Sequence, residues 1–237
     1  MNEYNYLNQN IQPSDFQIAT NQRILSFTYG WMFLALSLTG FISLAIAHFS
    51  PLTDLIGTNM KLFFVLVIAE LVLVFYLSAM INRMSLFSAA LCFILYSILN
   101  GVTIAPIFLI YTQSSIASTF FITGGTFAAM SLYGFFTKQD LTKWGNILIM
   151  ALIGLIIATI VNIFIASSSI YWITSFAGVL IFVGLTAFDT QKIKEMNMSG
   201  ISDLESNQKL AIIGALTLYL DFINLFLYLL RFFGKER

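Results

Sequence analysis

The stretch Leu210-Ala211-Ile212-Ile213-Gly214-Ala215-Leu216-Thr217-Leu218-Tyr219-Leu220-Asp221-Phe222-Ile223-Asn224-Leu225-Phe226-Leu227-Tyr228-Leu229-Leu230-Arg231-Phe232-Phe233 decides what kind of molecule this is. As an α-helix it is long enough to cross the roughly 30 Å hydrocarbon core of a bilayer, which takes about 20 apolar residues. One carboxylic acid, Asp221, lies near its middle. At helical spacing the polar groups gather on one stripe: Gly214, Thr217, Asp221, Asn224, Tyr228 and Arg231. The remaining faces are nearly all Leu, Ile and Phe, so the stripe should turn toward protein and away from lipid.

Six similar runs precede it, at about Ile24–Phe49, Lys61–Ile81, Leu86–Tyr111, Ile116–Phe136, Ile147–Ala166 and Tyr171–Phe188. The composition agrees: 59% of residues are hydrophobic and 9% charged, with a mean hydropathy of +0.88. A soluble domain carries about 25% charge. Backbone polar groups in lipid must be satisfied within the segment, so the spans are helices. The expected fold is an all-α integral membrane bundle of seven helices. The spans nearly use up the 237 residues, leaving no room for a separate soluble domain. Residues 1–22 read as a polar tail and 23–237 as the transmembrane domain. The tail lacks a basic start followed by a short apolar core, so it is not a signal peptide. The connections are short, apart from the polar stretch from Asp189 to about Lys209.

Several classes of function are excluded. The formal net charge is +0, which gives no footprint for nucleic acid. Cys92 is the single cysteine, so there is no intrachain disulfide. His48, the single histidine, has no companions for a zinc site. No phosphate-cradling glycine loop or catalytic triad appears. The chain is therefore expected to be no enzyme and to hold no cofactor, with the lipid bilayer as its first partner. Gly124, Gly125, Ser131 and Gly134 are expected to let the fourth helix pack closely.

Orientation follows lysine and arginine. With seven crossings, one side holds Arg23, Arg83, Lys138, Lys143, Lys192, Lys194 and Lys209. The other holds Lys61, Arg231, Lys235 and Arg237. The first side should be cytoplasmic, with the N-terminus inside. The basic C-terminus then lies on the opposite side, unless the last segment does not fully cross; seven crossings are favoured.

Ionisable groups within spans are costly and usually face a cavity or a partner. Asp221 is the clearest, Asp189 ends the sixth run, and Glu70 stands alone in the second. Asp189 fits a solvated interfacial carboxylate or a site residue equally. Glu70 fits core hydrogen bonding or pore lining equally. If Asp189 and Asp221 meet, like charges resist joint ionisation and the pair holds one proton over a wide pH range. Arg83, at the end of the second run, is the candidate cation to oppose that.

The segments Gly184-Leu185-Thr186-Ala187-Phe188-Asp189-Thr190-Gln191 and Ala215-Leu216-Thr217-Leu218-Tyr219-Leu220-Asp221-Phe222-Ile223-Asn224-Leu225-Phe226 resemble the sixth- and last-helix motifs of the Bax inhibitor-1 family. Gly101, Pro106, and Phe120-Phe121-Ile122-Thr123 through Ser131-Leu132-Tyr133-Gly134 are similar to its bacterial branch. The resemblance implies six helices around a hydrophobic seventh. It also implies a pH-sensitive calcium leak whose sensor is Asp189 with Asp221, which would touch calcium transiently. Glu70 matches an acid of the family's second helix. The family's latching arginine falls by spacing at Ile81, about half a turn from Arg83. With Arg83 from the end of the second run and Thr217, Asn224 and Tyr228 from the stripe around Asp221, Glu70 completes the candidate residues around the pair, and the implied place is a bacterial inner membrane.

Two other functions compete. An intramembrane aspartyl protease would use two aspartates on neighbouring helices. However, Tyr219-Leu220 precedes Asp221 where that class has Gly-x-Gly, and Phe188 precedes Asp189 where it has Tyr. An interaction protein, modulating a membrane protease or a stress response through the tail, is the stronger alternative.

Overall fold

The computed structural model describes residues 13–196 and 204–237. Its elements are α1 (Pro13–His48), α2 (Ser50–Thr58), α3 (Met60–Met80), α4 (Leu86–Ile104), α5 (Ile107–Ile110), α6 (Gln113–Phe136), α7 (Thr142–Ile165), α8 (Ser168–Met196) and α9 (Leu204–Phe233). Seven segments are long and apolar enough to cross a membrane. The shortest, α3, has 21 residues, which is about 31 Å at 1.5 Å per residue. The third span comprises α4 and α5, interrupted at Ala105-Pro106 because proline has no N–H for the helical ladder.

Helix ends are set by local chemistry. Asn59 Oδ1 accepts from the Leu62 amide at 3.1 Å and starts α3. Ser85 Oγ accepts from the Ser88 amide at 3.2 Å and starts α4, in keeping with the preference for Asn and Ser at that position. Pro51 in the first turn of α2 starts a short helix, and the Thr53 hydroxyl ties it back to the Ile46 carbonyl at 2.8 Å. Beyond the sixth span the sequence becomes polar at Asp189, but the helix continues to Met196. The long connection expected there therefore shrinks to residues 197–203, which lie outside the described residues. Likewise α1 begins at Pro13, so part of the stretch read as a tail is helical; residues 1–12 lie outside the described residues.

Helix α9 is the centre of the bundle. Of its span 67% is buried, against 11% for α3 and 6% for α7. It packs on α1, α4, α6 and α8. Helices α3 and α7 form the outer positions, α3 resting on α4 and α7 on α8. The core has two parts. The larger joins α1, α4, α6 and α9 through Met32, Phe93, Tyr96, Phe127, Tyr219 and Phe222. The smaller joins α7, α8 and α9 through Leu155, Phe182, Leu185, Leu225 and Leu229.

The C-terminal residues fix the crossing of α9. The Thr112 amide donates to the Lys235 carbonyl at 2.9 Å, and the Arg237 amide donates to the Ile110 carbonyl at 3.0 Å. Tyr111 and Glu236 form an antiparallel bridge. The chain end thus lies with the α5–α6 connection. By alternation of the spans that is the face opposite the turns at 81–85 and 137–141, so the last segment crosses fully. In a Cys92→Ser background, Lys138→Cys and Lys235→Cys should react with a membrane-impermeant maleimide from opposite sides of sealed vesicles. Labelling from one side would contradict the crossing.

The glycines of α6 divide. A Cβ at Gly134 would collide with the Ala187 backbone of α8, whereas one at Gly124 or Gly125 would meet nothing within 4 Å. Ser131, one turn before Gly134, pairs its hydroxyl with Thr190 at 3.2 Å. Close α6–α8 packing therefore uses Ser131 and Gly134, and Gly124 and Gly125 take no part. Gly134→Ala should lower stability in detergent by about 1–3 kcal/mol, while Gly125→Ala should be neutral or slightly stabilising. Thermal unfolding of the two variants provides the comparison.

Candidate functional site

The polar stripe of α9 opens into a cavity of about 530 Å³ between α3 and α7. Thr217, Asp221, Asn224 and Tyr228 form its inner wall, and α8 adds Asp189. Helix α3 contributes Glu70 and α4 contributes Tyr96, with aliphatic side chains of α3 and α7 completing the walls. Residues from distant parts of the chain therefore meet at membrane depth. Asp189 is not at a helix end, because α8 runs on for two further turns.

The carboxyls of Asp189 and Asp221 lie within hydrogen-bonding reach of each other. Both face the same cavity, and two like charges this close resist joint ionisation. Asp221 is 4% exposed, and its Oδ2 has no hydrogen-bond partner among the described residues. Asn224 donates its amide to the Leu220 carbonyl at 2.8 Å, and the Thr217 hydroxyl donates to the Ile213 carbonyl at 3.1 Å. Their oxygens remain as acceptors.

The cation that acts on Asp189 is Lys192, one turn further along α8. Arg83 is exposed in the α3–α4 turn and is not part of the cavity wall. The reason is geometric: α3 ends at Met80, which carries Arg83 out of the helix and past the cavity.

Glu70 anchors a second polar system, centred on residues that carry no charge and so give no signal in the sequence. It accepts from Asn100 Nδ2 at 3.3 Å and from the Thr103 hydroxyl. The Tyr219 hydroxyl donates to Asn100 Oδ1 at 3.1 Å and lies 2.7 Å from the Thr39 hydroxyl. Thr39 in turn donates to the Ser97 carbonyl at 2.9 Å. The chain of bonds links α3, α4, α9 and α1.

At the far end of the cavity, the Arg231 guanidinium lies over the rings of Tyr171 and Tyr228, 5.0 and 4.9 Å from their centroids. It also donates to Ser175 Oγ at 3.2 Å. Beside it, outside the spans, burial pushes the Tyr111 phenol up from its ordinary pKa. On the opposite face, hydrogen bonding to Thr142 holds the Asp140 carboxyl below its ordinary pKa. Among the described residues no three of His, Cys, Asp and Glu come together as a metal-holding group.

Tyr219→Phe should cost about 1 kcal/mol, in line with interhelical hydrogen bonds in membranes, because it leaves Thr39 and Asn100 each short of a partner. Chemical or thermal unfolding in detergent measures it. No loss would mean the chain of bonds adds nothing to stability.

Comparison with known proteins places this arrangement. The family profile described as "Inhibitor of apoptosis-promoting Bax1" matches residues 21–237. Inner membrane protein YbhL of Escherichia coli K12 is 48% identical over 217 residues, which cover 91% of this chain and 93% of that protein. An uncharacterized protein of Borreliella burgdorferi is 43% identical over 221 residues, covering 93% and 95%. An uncharacterized membrane protein of Streptococcus pyogenes is 32% identical over 233 residues, covering 97% and 100%. With seven spans, the most buried of which carries Asp221, this chain belongs to the Bax inhibitor-1 family.

Proposed function

We propose that this protein is a passive, pH-sensitive leak for calcium, with Asp189 and Asp221 as its titrating pair. The observation that carries the reading is the meeting of two carboxyls from neighbouring helices in one cavity at membrane depth, with Glu70 on the opposite wall. The groups presented are carboxylate, amide and hydroxyl oxygens, the donor type that a hard divalent cation takes. The orphaned Asp221 Oδ2 is a place for a proton or a passing cation. Calcium here is cargo, and the residues act by charge and by oxygen donation.

The pH response follows from charge. A shared proton neutralises half of the pair; losing it leaves two carboxylates facing each other, which raises both the negative potential of the cavity and its supply of ligands. The charged and titratable groups facing the pair are Lys192 on α8, Glu70 on α3, Tyr96 on α4 and Tyr228 on α9. Calcium should therefore bind more weakly in acid than in alkali. The membrane in question is the inner membrane, as the name of the Escherichia coli relative suggests, with the N-terminus cytoplasmic because lysine and arginine concentrate on that side.

The test is calcium flux into liposomes holding the purified protein, from about pH 5 to pH 8, a range that spans the loss of a shared carboxyl proton. Flux that varies with pH, and a double variant Asp189→Asn/Asp221→Asn that loses the variation, is the expected result. Asp221→Asn should shift the pH profile more than Glu70→Gln, and Arg83→Ala should leave it in place. No flux above empty liposomes at any pH would make the aspartates structural and favour a protein that acts by binding a partner.

A further inference from the structure

On the other side of α9 lies a second cavity. Helices α1 and α6 both pack on α9 without substantial packing between them, and the wedge they leave is about 380 Å³. That is within the range of small-ligand sites, roughly 300–1,000 Å³. Gly40, Ser43 and Leu44 of α1, Phe120 of α6 and Phe226 of α9 are among its walls, and no charged side chain lines it. Leu44 and Phe120 at its edges are 43% and 42% exposed, so the wedge opens sideways, to the surface that faces lipid.

Ser43 breaks the apolar pattern. It is 3% exposed, and its Oγ has no hydrogen-bond partner among the described residues. Buried hydroxyls nearly always have a partner, and an orphan needs an explanation. Thr39, the other hydroxyl of the α1 wall, already bonds Ser97 and Tyr219. Ser43 lies five residues before His48, the last residue of α1, which is about 7–8 Å along the helix axis. That puts its hydroxyl close to the boundary between hydrocarbon and the ester layer. The wedge thus offers a neutral, largely apolar slot, with the unpartnered Ser43 hydroxyl buried at ester depth and the exposed Gln113 amide at its edge.

We propose that the α1–α6 wedge is a binding site for one acyl chain of a phospholipid, drawn from the leaflet on the side of the C-terminus, with its ester carbonyl accepting from Ser43. A hydrocarbon chain suits the walls and the sideways opening, and the ester oxygen is the acceptor that Ser43 lacks. The proposal rests on the fold alone and is independent of the leak reading.

The experiment is photo-crosslinking in proteoliposomes with phosphatidylethanolamine carrying a diazirine in its acyl chain, with adducts mapped by mass spectrometry. Adducts are expected on the wedge peptides around Ile116 and Phe226, above the level on the outward face of α7 near Phe164, which is 84% exposed. Gly40 lines the wedge and a Cβ there meets nothing within 4 Å, so Gly40→Leu places added side-chain volume at the wedge wall. It should cut wedge adducts at least about fivefold, equivalent to ~1 kcal/mol of weakening, and leave the α7 adducts unchanged. Ser43→Ala should cut them about two- to tenfold, the worth of one hydrogen bond, for the ester-linked lipid and not for its ether-linked analogue. The proposal is overturned if wedge labelling is no higher than α7 labelling, or if a correctly folded Gly40→Leu leaves it unchanged. It is also overturned if Ser43→Ala affects ester and ether lipids alike, or if a photoreactive free fatty acid labels the wedge while the phospholipid does not.

Discussion

A carboxyl group halfway along a membrane helix has to find its partners inside the protein, since lipid offers none. Asp221 sets that condition here, and the position of α9 follows from it. Its polar stripe is covered by α8, which brings Asp189 to it, and by the cavity walls of α3 and α7. The remaining faces of α9 are apolar and are buried by α1, α4 and α6. Apolar packing thus surrounds a polar helix face, and close packing at Gly134 against Ala187 lets α6 and α8 meet beside it.

Two residues apart on α9, Tyr219 and Asp221 point to nearly opposite sides, because two residues turn an α-helix by about 200°. They serve different ends. Tyr219 belongs to a bonded chain through Asn100, Thr39 and Glu70 that ties four helices together. A polar network of this kind holds the helices it joins in register. Asp221 belongs to a pair with an unpartnered oxygen, and such a pair depends on its proton count. Glu70 joins the two systems, since it accepts bonds from α4 and also lines the acidic cavity.

The spans were legible because crossing a bilayer is a property of each segment taken alone: length and hydropathy suffice. The helix ends were less so. Hydropathy marks where a chain leaves lipid, whereas a helix stops where its hydrogen bonds do, and so α8 runs past Asp189 to Met196. The short α2 is too small for periodicity to reveal, and only Ser50-Pro51 hints at it. The inner wall of the cavity was legible because Thr217, Asp221, Asn224 and Tyr228 share one helical stripe. Tyr96, Asn100 and Thr103 were not, because neutral residues inside apolar runs carry no signal until another helix is placed beside them. Arg83 was tied to the site as the cation at the end of the second run, although spacing from Glu70 pointed to Ile81. The nearer cation, Lys192, was hidden by reading Asp189 as the end of its helix. The glycines of α6 show the same limit: Gly134 and Gly125 are equivalent in composition, and only the placement of α8 separates them.

The bundle is unevenly held, and the unevenness falls at the acidic cavity. Among the described side chains of α3 only Leu77 is buried, and α7 buries only Gly145 and Leu155. Each of these helices rests on one main neighbour, whereas α1, α4, α6 and α8 are fastened to α9. A rearrangement that widened the cavity by moving α8 would break the Asp189–Asp221 contact and the packing of Leu225 and Leu229 together. Moving α3 or α7 disturbs far less apolar packing, and burial is what makes helix displacement costly. Of the two, α3 carries the polar attachment, since Glu70 accepts from Asn100 and Thr103 of α4. The carboxyls and the least buried helices therefore occupy the same place in the bundle.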